Sequence, residues 1–167
     1  MYQFNYIKAK SVEEASIALS NNPEAKILAG GMTLIPTMKQ RLASPEQLID
    51  IRQIEELKFI KLESNNIIVG SVSNHFEVYD SEIIKEHLPV LSRLAENIGD
   101  PHVRNMGTIG GSISNNDPTA DYPAACLGLG AIIKTSKREI KAEEFFVDLF
   151  ETSLEAVSYT HLRAHET

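Results

Sequence analysis

Two short segments have the residue types and spacing to hold an anion. The first, Ile27-Leu28-Ala29-Gly30-Gly31-Met32-Thr33-Leu34, passes from an apolar strand-like stretch through a Gly-Gly turn into a helix-like start. Amides at such a turn point outward, and glycine lets a phosphate approach the backbone closely. Residues 25–45 contain Lys26, Lys39 and Arg41 and no acid, inside a chain of net charge −7. The local field therefore suits an anion although the whole-molecule charge does not. The second segment, Gly107-Thr108-Ile109-Gly110-Gly111-Ser112, follows Arg104 and is also free of acids. Its small residues are expected to expose amides as a backbone nest. The plainer alternatives are a tight strand–helix turn for the first and a closely approached strand for the second. Two such loops in one small chain fit a ligand with two phosphates better than either does alone.

Other chemistries find less support. No Lys follows the glycines at P-loop spacing, and there is no G-x-G-x-x-G, so neither a mononucleotide P-loop nor a Rossmann site is present. Asp121 could accept a hydrogen bond from a ribose or ribityl hydroxyl, or act as the N-cap of a helix beginning near Pro123. Asp117 and Asp121 alone make a weak metal site. His75 and His87 stand near helix starts and are expected to be caps or surface residues, while His161 and His165 lack the glutamate of a zincin. No nucleophile elbow accompanies a Ser/His/Asp set. Cys126, the only cysteine, sits among apolar residues and reads as a small core hydrophobe. One thiol forms neither an internal disulfide nor an iron–sulfur site.

The elements that must position these loops alternate between strand and helix. Strands are expected at residues 4–7, 25–28 and 47–51, and helices at 12–21 and 34–41. Ser11 and Glu14 form a capping-box pattern, and Pro36 is tolerable only in a first turn. From Leu57 the pattern changes to a hairpin around Asn65-Asn66, then a short helix capped by Asn74. A helix follows with Leu88, Leu91, Leu94, Ala95 and Ile98 on one face, Pro89 near its start and Gly99 past its end. A short helix at 123–129 and a strand at 131–135 complete the second part. The expected organisation is a β-α-β lobe over 1–55 and a second, incomplete α+β lobe over 56–156. Residues 157–167 (VSYTHLRAHET) continue no apolar periodicity and resemble adapter read-through, so they are expected to be a non-native, loosely placed tail on a fragment of a longer protein.

Composition narrows the class. Hydrophobic residues are 43 % and charged residues 23 % of the 167, an ordinary globular balance. Sixteen Lys and Arg against 23 Asp and Glu disfavour nucleic acid or anionic membrane as the main partner. No apolar run approaches the ~20 residues of a membrane span, and the amino terminus has no signal-like apolar core. A cytoplasmic protein is the expectation.

Three motifs, taken in order, resemble those of one family: Ala29-Gly30-Gly31-Met32-Thr33-Leu34-Ile35-Pro36, then Arg104-Asn105-Met106-Gly107-Thr108-Ile109-Gly110-Gly111-Ser112, then Asp117-Pro118-Thr119-Ala120-Asp121-Tyr122-Pro123. From Tyr2 to about Glu155 the chain resembles the FAD-binding (medium) subunit of molybdenum hydroxylases such as xanthine dehydrogenase and aerobic carbon monoxide dehydrogenase. The resemblance implies an α+β, two-lobed flavin-binding fold of the PCMH or vanillyl-alcohol-oxidase type, here lacking the C-terminal domain. It implies FAD extended in the cleft between the lobes. Carried over by position, Ile27, Leu28, Ala29, Gly30, Gly31, Met32, Thr33 and Leu34 would bind the pyrophosphate region. Thr108, Ile109, Gly110, Gly111 and Ser112 would form the second FAD loop, Asp121 a polar anchor and Ile98 a further flavin contact. Flavin oxidases of similar fold attach FAD through a histidine where Met32 stands, so binding here is expected to be non-covalent. In such enzymes a molybdenum subunit oxidises the substrate, an iron–sulfur subunit relays electrons to FAD, and an acceptor, often NAD, takes them. A self-contained flavin oxidase or reductase, or a folded fragment without cofactor, are the alternatives.

Overall fold

The computed structural model describes residues 1–155 and 160–165. It is an α+β fold built on a three-stranded and a five-stranded sheet, with a small two-stranded one beside them. The amino-terminal part consists of β1 (Asn5–Lys8), α1 (Val12–Asn21), β2 (Lys26–Leu28), α2 (Leu34–Lys39) and β3 (Gln47–Asp50). Its three strands are parallel in the order β1-β3-β2, as strand–helix–strand connections require. Ser11 caps α1 by accepting from the Glu14 amide at 3.1 Å, but the Glu14 carboxylate takes the Lys10 amide rather than that of Ser11, so the capping box is only half made. Ala15, Leu19, Ile49, Ile51, Ile54 and Leu57 bury together beneath α1. A smaller cluster of Leu28, Met38 and Leu48 fixes α2 against the other side of the sheet.

The second part begins with the hairpin β4 (Ile60–Glu63) and β5 (Asn66–Val69). Its turn is Ser64-Asn65, one residue earlier than expected, because these two residues take the positive φ values of 47° and 68° that a two-residue hairpin turn demands. Helices α3 (His75–Asp80), α4 (Glu82–His87), α5 (Pro89–Glu96), α6 (Pro101–Met106), α7 (Ile109–Asn115) and α8 (Asp121–Gly128) follow. Then come β6 (Ile132–Thr135), β7 (Glu139–Lys141), α9 (Ala142–Phe145), and a small hairpin of β8 (Phe146–Asp148) and β9 (Glu151–Thr152). Asn74 and Glu77 form a complete capping box on α3. The apolar positions expected on one face of α5 do point inward: Leu88, Leu91 and Ala95 join Ile67, Val69, Ile109, Ile113, Tyr122, Cys126 and Ile133 in the main core.

The segment expected to hang outside the fold enters it. Thr160–His165 forms β10, which lies between β5 and β6 in an antiparallel sheet of order β4-β5-β10-β6-β7. Leu162 pairs with Val69 on one side and Ile133 on the other, and Ala164 is buried in the main core. The physical reason is that β5 and β6 would otherwise present two unpaired backbone edges over that core. A signal was present: in THLRAH, apolar Leu162 and Ala164 alternate with polar residues at the strand period of two. The side chains of His161 and His165, and residues 157–159, 166 and 167, lie outside the described residues.

One feature fixes the parallel sheet internally and a second ties the two parts together. Asp50, at the end of the central parallel strand, is buried and accepts hydrogen bonds from the Tyr6 hydroxyl, the Arg52 guanidinium and the Arg52 amide. Burial pushes its carboxyl up, but the bonds from Arg52 and Tyr6 outweigh that and hold it below the usual carboxylate range. The second feature is a backbone contact. A Cβ placed on Gly30 would lie 2.7 Å from Gly107 Cα and 2.9 Å from the Met106 carbonyl carbon. The two glycine segments therefore touch each other, and this contact sets how close the parallel sheet lies to α6 and α7.

Three outcomes are expected. Truncation after Glu155 should lower the melting temperature by well over the 2–4 °C that about 1 kcal/mol produces in a chain of this size, because it opens both edges that β10 fills; an unchanged thermal melt would show that β10 is dispensable. Gly30→Ala should cost about 1–3 kcal/mol through overpacking against backbone, whereas Gly99→Ala, whose Cβ meets nothing within 4 Å, should be near neutral; denaturant titration distinguishes them. Asp50→Asn should cost about 1–3 kcal/mol at neutral pH. Because the folded carboxyl titrates below its unfolded value of ~3.9, that stability is present above pH ~4 and lost as pH falls through the folded value. The gap between wild type and Asp50→Asn should thus be flat from pH 5 to 7 and shrink below 4.

Candidate functional site

A cleft of about 610 Å³ opens between the β2–α2 turn and the segment from α3 to α7. That volume is within the ~300–1,000 Å³ typical of small-molecule sites. One wall is continuous: Ile27, Leu28, Ala29, Gly30, Gly31, Met32, Thr33 and Leu34 all line it. The turn is shaped by Gly31, at φ +71°, a conformation that disfavours any side chain. Within the described residues the amides of Gly30, Gly31, Met32 and Thr33 donate to no protein acceptor. Thr33 caps α2 by position without a side-chain hydrogen bond, so its hydroxyl is uncommitted there. Lys26 also lines this wall, exposed and without an ion-pair partner among the described residues.

The opposite wall is organised differently. Thr108, Gly110, Gly111 and Ser112 line it, but they form the first turn of α7 rather than a loop. Thr108 is the N-cap and accepts from the Gly111 amide at 3.1 Å. The Ile109 amide donates to Ser73 O, that of Gly110 to Ser71 O and that of Ser112 to Thr108 O. The expected nest of free amides is absent because the segment's own helix and the Ser71–Ser73 backbone use all four. Its glycines serve packing instead: a Cβ on Gly110 would meet Ser71 backbone and side chain at 2.6–2.9 Å. Ile109 points away from the cleft into the main core.

Three further residues lie elsewhere. Arg104 does not face the cleft as a free cation; its guanidinium donates to the Ile98 carbonyl at 2.5 Å, beyond the end of α5. Ile98 packs half-buried against the main core and does not line the cleft. Asp121 is the exposed first residue of α8, whose N-cap position is Ala120, so the alternative reading of Asp121 as the cap is also corrected. Asp117, Thr119 and Ala120 line the cleft where Asp121 does not. Asp117 accepts from the Thr119 amide at 2.9 Å and hydroxyl at 2.7 Å, and these bonds hold its carboxyl below the usual range.

The sequence offered little sign of three other lining residues, Ser71, His75 and Leu154. Leu154 reaches the cleft because Asn116, in the left-handed region at the end of α7, donates to Asp148 O and Glu151 O and holds the β8–β9 hairpin. His75, expected at the surface, is 5 % exposed and stacks on Tyr122 with ring centroids 5.2 Å apart. Burial pushes its imidazole down to about 4, so it is neutral at ordinary pH. His75 Nδ1 and Ser71 Oγ are buried and have no hydrogen-bond partner among the described residues. Cys126 is inert core: burial pushes its thiol up to about 12. Among the described residues there is no cluster of metal-ligating side chains and no helix long and apolar enough to cross a membrane.

The arrangement suits a dinucleotide. A row of uncommitted amides ends in an uncommitted hydroxyl with one cation beside it, and this faces a wall of small residues and orphaned polar side chains. The first can hold a diphosphate, and the second admits a flat or extended organic group. The residues present therefore fit FAD.

Comparison with known proteins agrees. Residues 2–159 match the family described as the FAD binding domain in molybdopterin dehydrogenase. The chain is similar to the glyceraldehyde dehydrogenase medium chain of Sulfolobus acidocaldarius, 38 % identical over 154 residues, covering 90 % of this chain and 55 % of that one. It is 39 % identical to the carbon monoxide dehydrogenase medium chain of Hydrogenophaga pseudoflava over 158 residues, 92 % of this chain and 55 % of that one. The fold is similar to a solved carbon monoxide dehydrogenase from Hydrogenophaga pseudoflava that lacks the Mo-pyranopterin moiety, with TM-score 0.96, 37 % identity, and coverage of 99 % of this chain and 60 % of that chain. This chain thus spans about half the length of the curated relatives it matches. With nearly all of its residues matched by sequence and by structure, the chain belongs to the family of FAD-binding domains of molybdopterin dehydrogenases.

Proposed function

We propose that this chain holds FAD non-covalently, with the diphosphate on the amides of Gly30, Gly31, Met32 and Thr33, and that it does so as part of the electron-transferring subunit of a molybdenum hydroxylase. The row of free amides along the Gly30–Thr33 turn is the observation that carries the reading. Backbone N–H groups that face a cleft without partners favour an anion that supplies the missing acceptors. Lys26 adds a positive charge at the cleft's lip. Thr108, Gly110, Gly111 and Ser112 supply a close, small-residue wall against which the flavin nucleotide lies, and Ile98 and Asp121 take no part in it.

When bound, FAD supplies a redox centre that accepts and releases electrons singly or in pairs. The protein's part is to orient it and to exclude water. Cys126 is buried in the core, so iron–sulfur ligation falls outside these 167 residues. An iron–sulfur subunit and a molybdenum-cofactor subunit are the proposed partners, and NAD is the proposed acceptor. The medium chains of carbon monoxide and glyceraldehyde dehydrogenases support that assignment by similarity. Met32 carries a thioether rather than an imidazole after Gly-Gly, which supports non-covalent attachment.

The test is flavin binding by the purified chain. FAD at 100 times its Kd adds ~2.7 kcal/mol, which raises the melting temperature by roughly 5–10 °C at 2–4 °C per kcal/mol. Lys26→Glu, at an exposed position, should leave the melt without FAD unchanged and weaken FAD about tenfold, equal to ~1.4 kcal/mol. FMN, which lacks the second phosphate and the adenosine, should bind more weakly than FAD. Equal affinities for FAD in wild type and Lys26→Glu, together with equal affinities for FMN and FAD, would remove the diphosphate from this turn.

A further inference from the structure

We propose that His75 is a ligand-contacting residue that donates a hydrogen bond from Nε2 to an oxygen of the flavin nucleotide bound in the cleft. The inference rests on the flavin reading above and adds a side-chain contact from the wall whose Ile109–Ser112 amides are committed within the protein.

Three observations carry it. His75 lines the cleft although its side chain is almost wholly buried, and neither ring nitrogen has a hydrogen-bond partner among the described residues. Nδ1 is sealed off, whereas Nε2 abuts Gly107, a cleft-lining residue on which a Cβ would come within 2.7 Å of it. Gly107 in turn is the residue against which Gly30 packs, so His75 Nε2 and the Gly30–Thr33 turn both adjoin the Gly107 backbone.

The tautomer follows from these facts. A buried N–H without an acceptor is costlier than a buried lone pair without a donor. The sealed Nδ1 is therefore the bare nitrogen, and the proton sits on Nε2, at the cleft. Burial keeps the ring neutral, so it acts as a dipolar donor and not as a cation. Stacking on Tyr122 and the hydrogen bond from the His75 amide to Gly107 O fix the ring's place. A polar side chain held this firmly and left without a protein partner is explained by a ligand that supplies one. Ser71 Oγ, also orphaned, lines the same wall and gives the site a second polar side chain.

The experiment uses the 167-residue chain. His75→Phe keeps an aromatic ring on Tyr122 but removes the donor. It should weaken FAD about tenfold by fluorescence titration without lowering the melting temperature of the FAD-free chain. His75→Gln restores an amide N–H at similar reach and should return affinity to within about threefold of wild type. In ¹⁵N-histidine spectra, the signal lost in His75→Phe should be an Nε2–H tautomer whose proton moves downfield when FAD is added. FAD binding equally to wild type and His75→Phe, or a His75 resonance of the Nδ1–H type, overturns the proposal. If His75→Phe does not fold, the glutamine variant and the spectrum decide the matter. Failure of wild type to bind FAD at all sinks the flavin reading itself, and the tautomer of the FAD-free chain then still decides whether His75 presents a donor.

Discussion

The close approach of Gly30 to the Met106–Gly107 backbone is the constraint on which the cleft depends. No side chain separates the parallel sheet from the α6–α7 junction there, so the two walls are fixed by contact between main chains. Main-chain contacts do not yield by rotamer changes, and protein interiors leave no slack to absorb an added methyl. The same device recurs nearby: Gly107 leaves room for the His75 ring, Gly110 for Ser71, and Gly70 for the Leu57 backbone. A line of glycines thus sets the spacing between the two sheets and the helices. The cleft is what remains between surfaces brought this close at one end.

This changes the meaning of the glycine-rich motifs. Both segments look alike as sequences, and free amides are the natural reading for each. Their backbones have opposite fates. The Gly30-Gly31 turn keeps its amides uncommitted because it leaves a strand, passes through a left-handed glycine, and enters a short helix with no side-chain cap. The Ile109–Ser112 amides are spent because a good N-cap, Thr108, lets the helix start at once and the Ser71–Ser73 backbone runs alongside. Threonine's hydroxyl at the cap is the local cause of the difference, and neighbouring backbone from residues 71–73 is the tertiary one. Only the first was visible in the sequence.

Local chemistry accounts for most of what the sequence made legible. Caps at Ser11 and Asn74, the proline at Pro89 and the inward face of α5 are properties of a few adjacent residues, and they hold in the structure. The residues that eluded sequence reasoning are placed by distant partners. His75 reads as a helix-start surface residue, yet Tyr122 and Gly107 enclose it. Arg104 stands as a cation just before the second glycine segment, yet the carbonyl of Ile98 takes its guanidinium. Strand β10 carries a weak alternation of Leu162 and Ala164, but its place between β5 and β6 is dictated by their unpaired edges. In each instance the deciding group is several to many residues away in the chain.

The electrostatics of the cleft follow from these same placements. Arg104 is committed to a carbonyl and Arg41 stacks on Tyr2, so the cluster of cations seen in the sequence does not converge on one point. Lys26 is left as the cation at the wall, His75 is neutral, and Asp117 brings a negative charge. An anion in this cleft is therefore held chiefly by dipoles: the amides of the Gly30–Thr33 turn, the Thr33 hydroxyl and neutral side chains. Fixed dipoles in a closed wall act only at short range and demand correct geometry, whereas clustered lysines would attract any anion from a distance. In a chain of net charge −7, long-range attraction is unfavourable for a diphosphate in any case. Recognition by oriented amides is the solution available to an acidic protein, and the main-chain contact at Gly30 is what keeps those amides oriented.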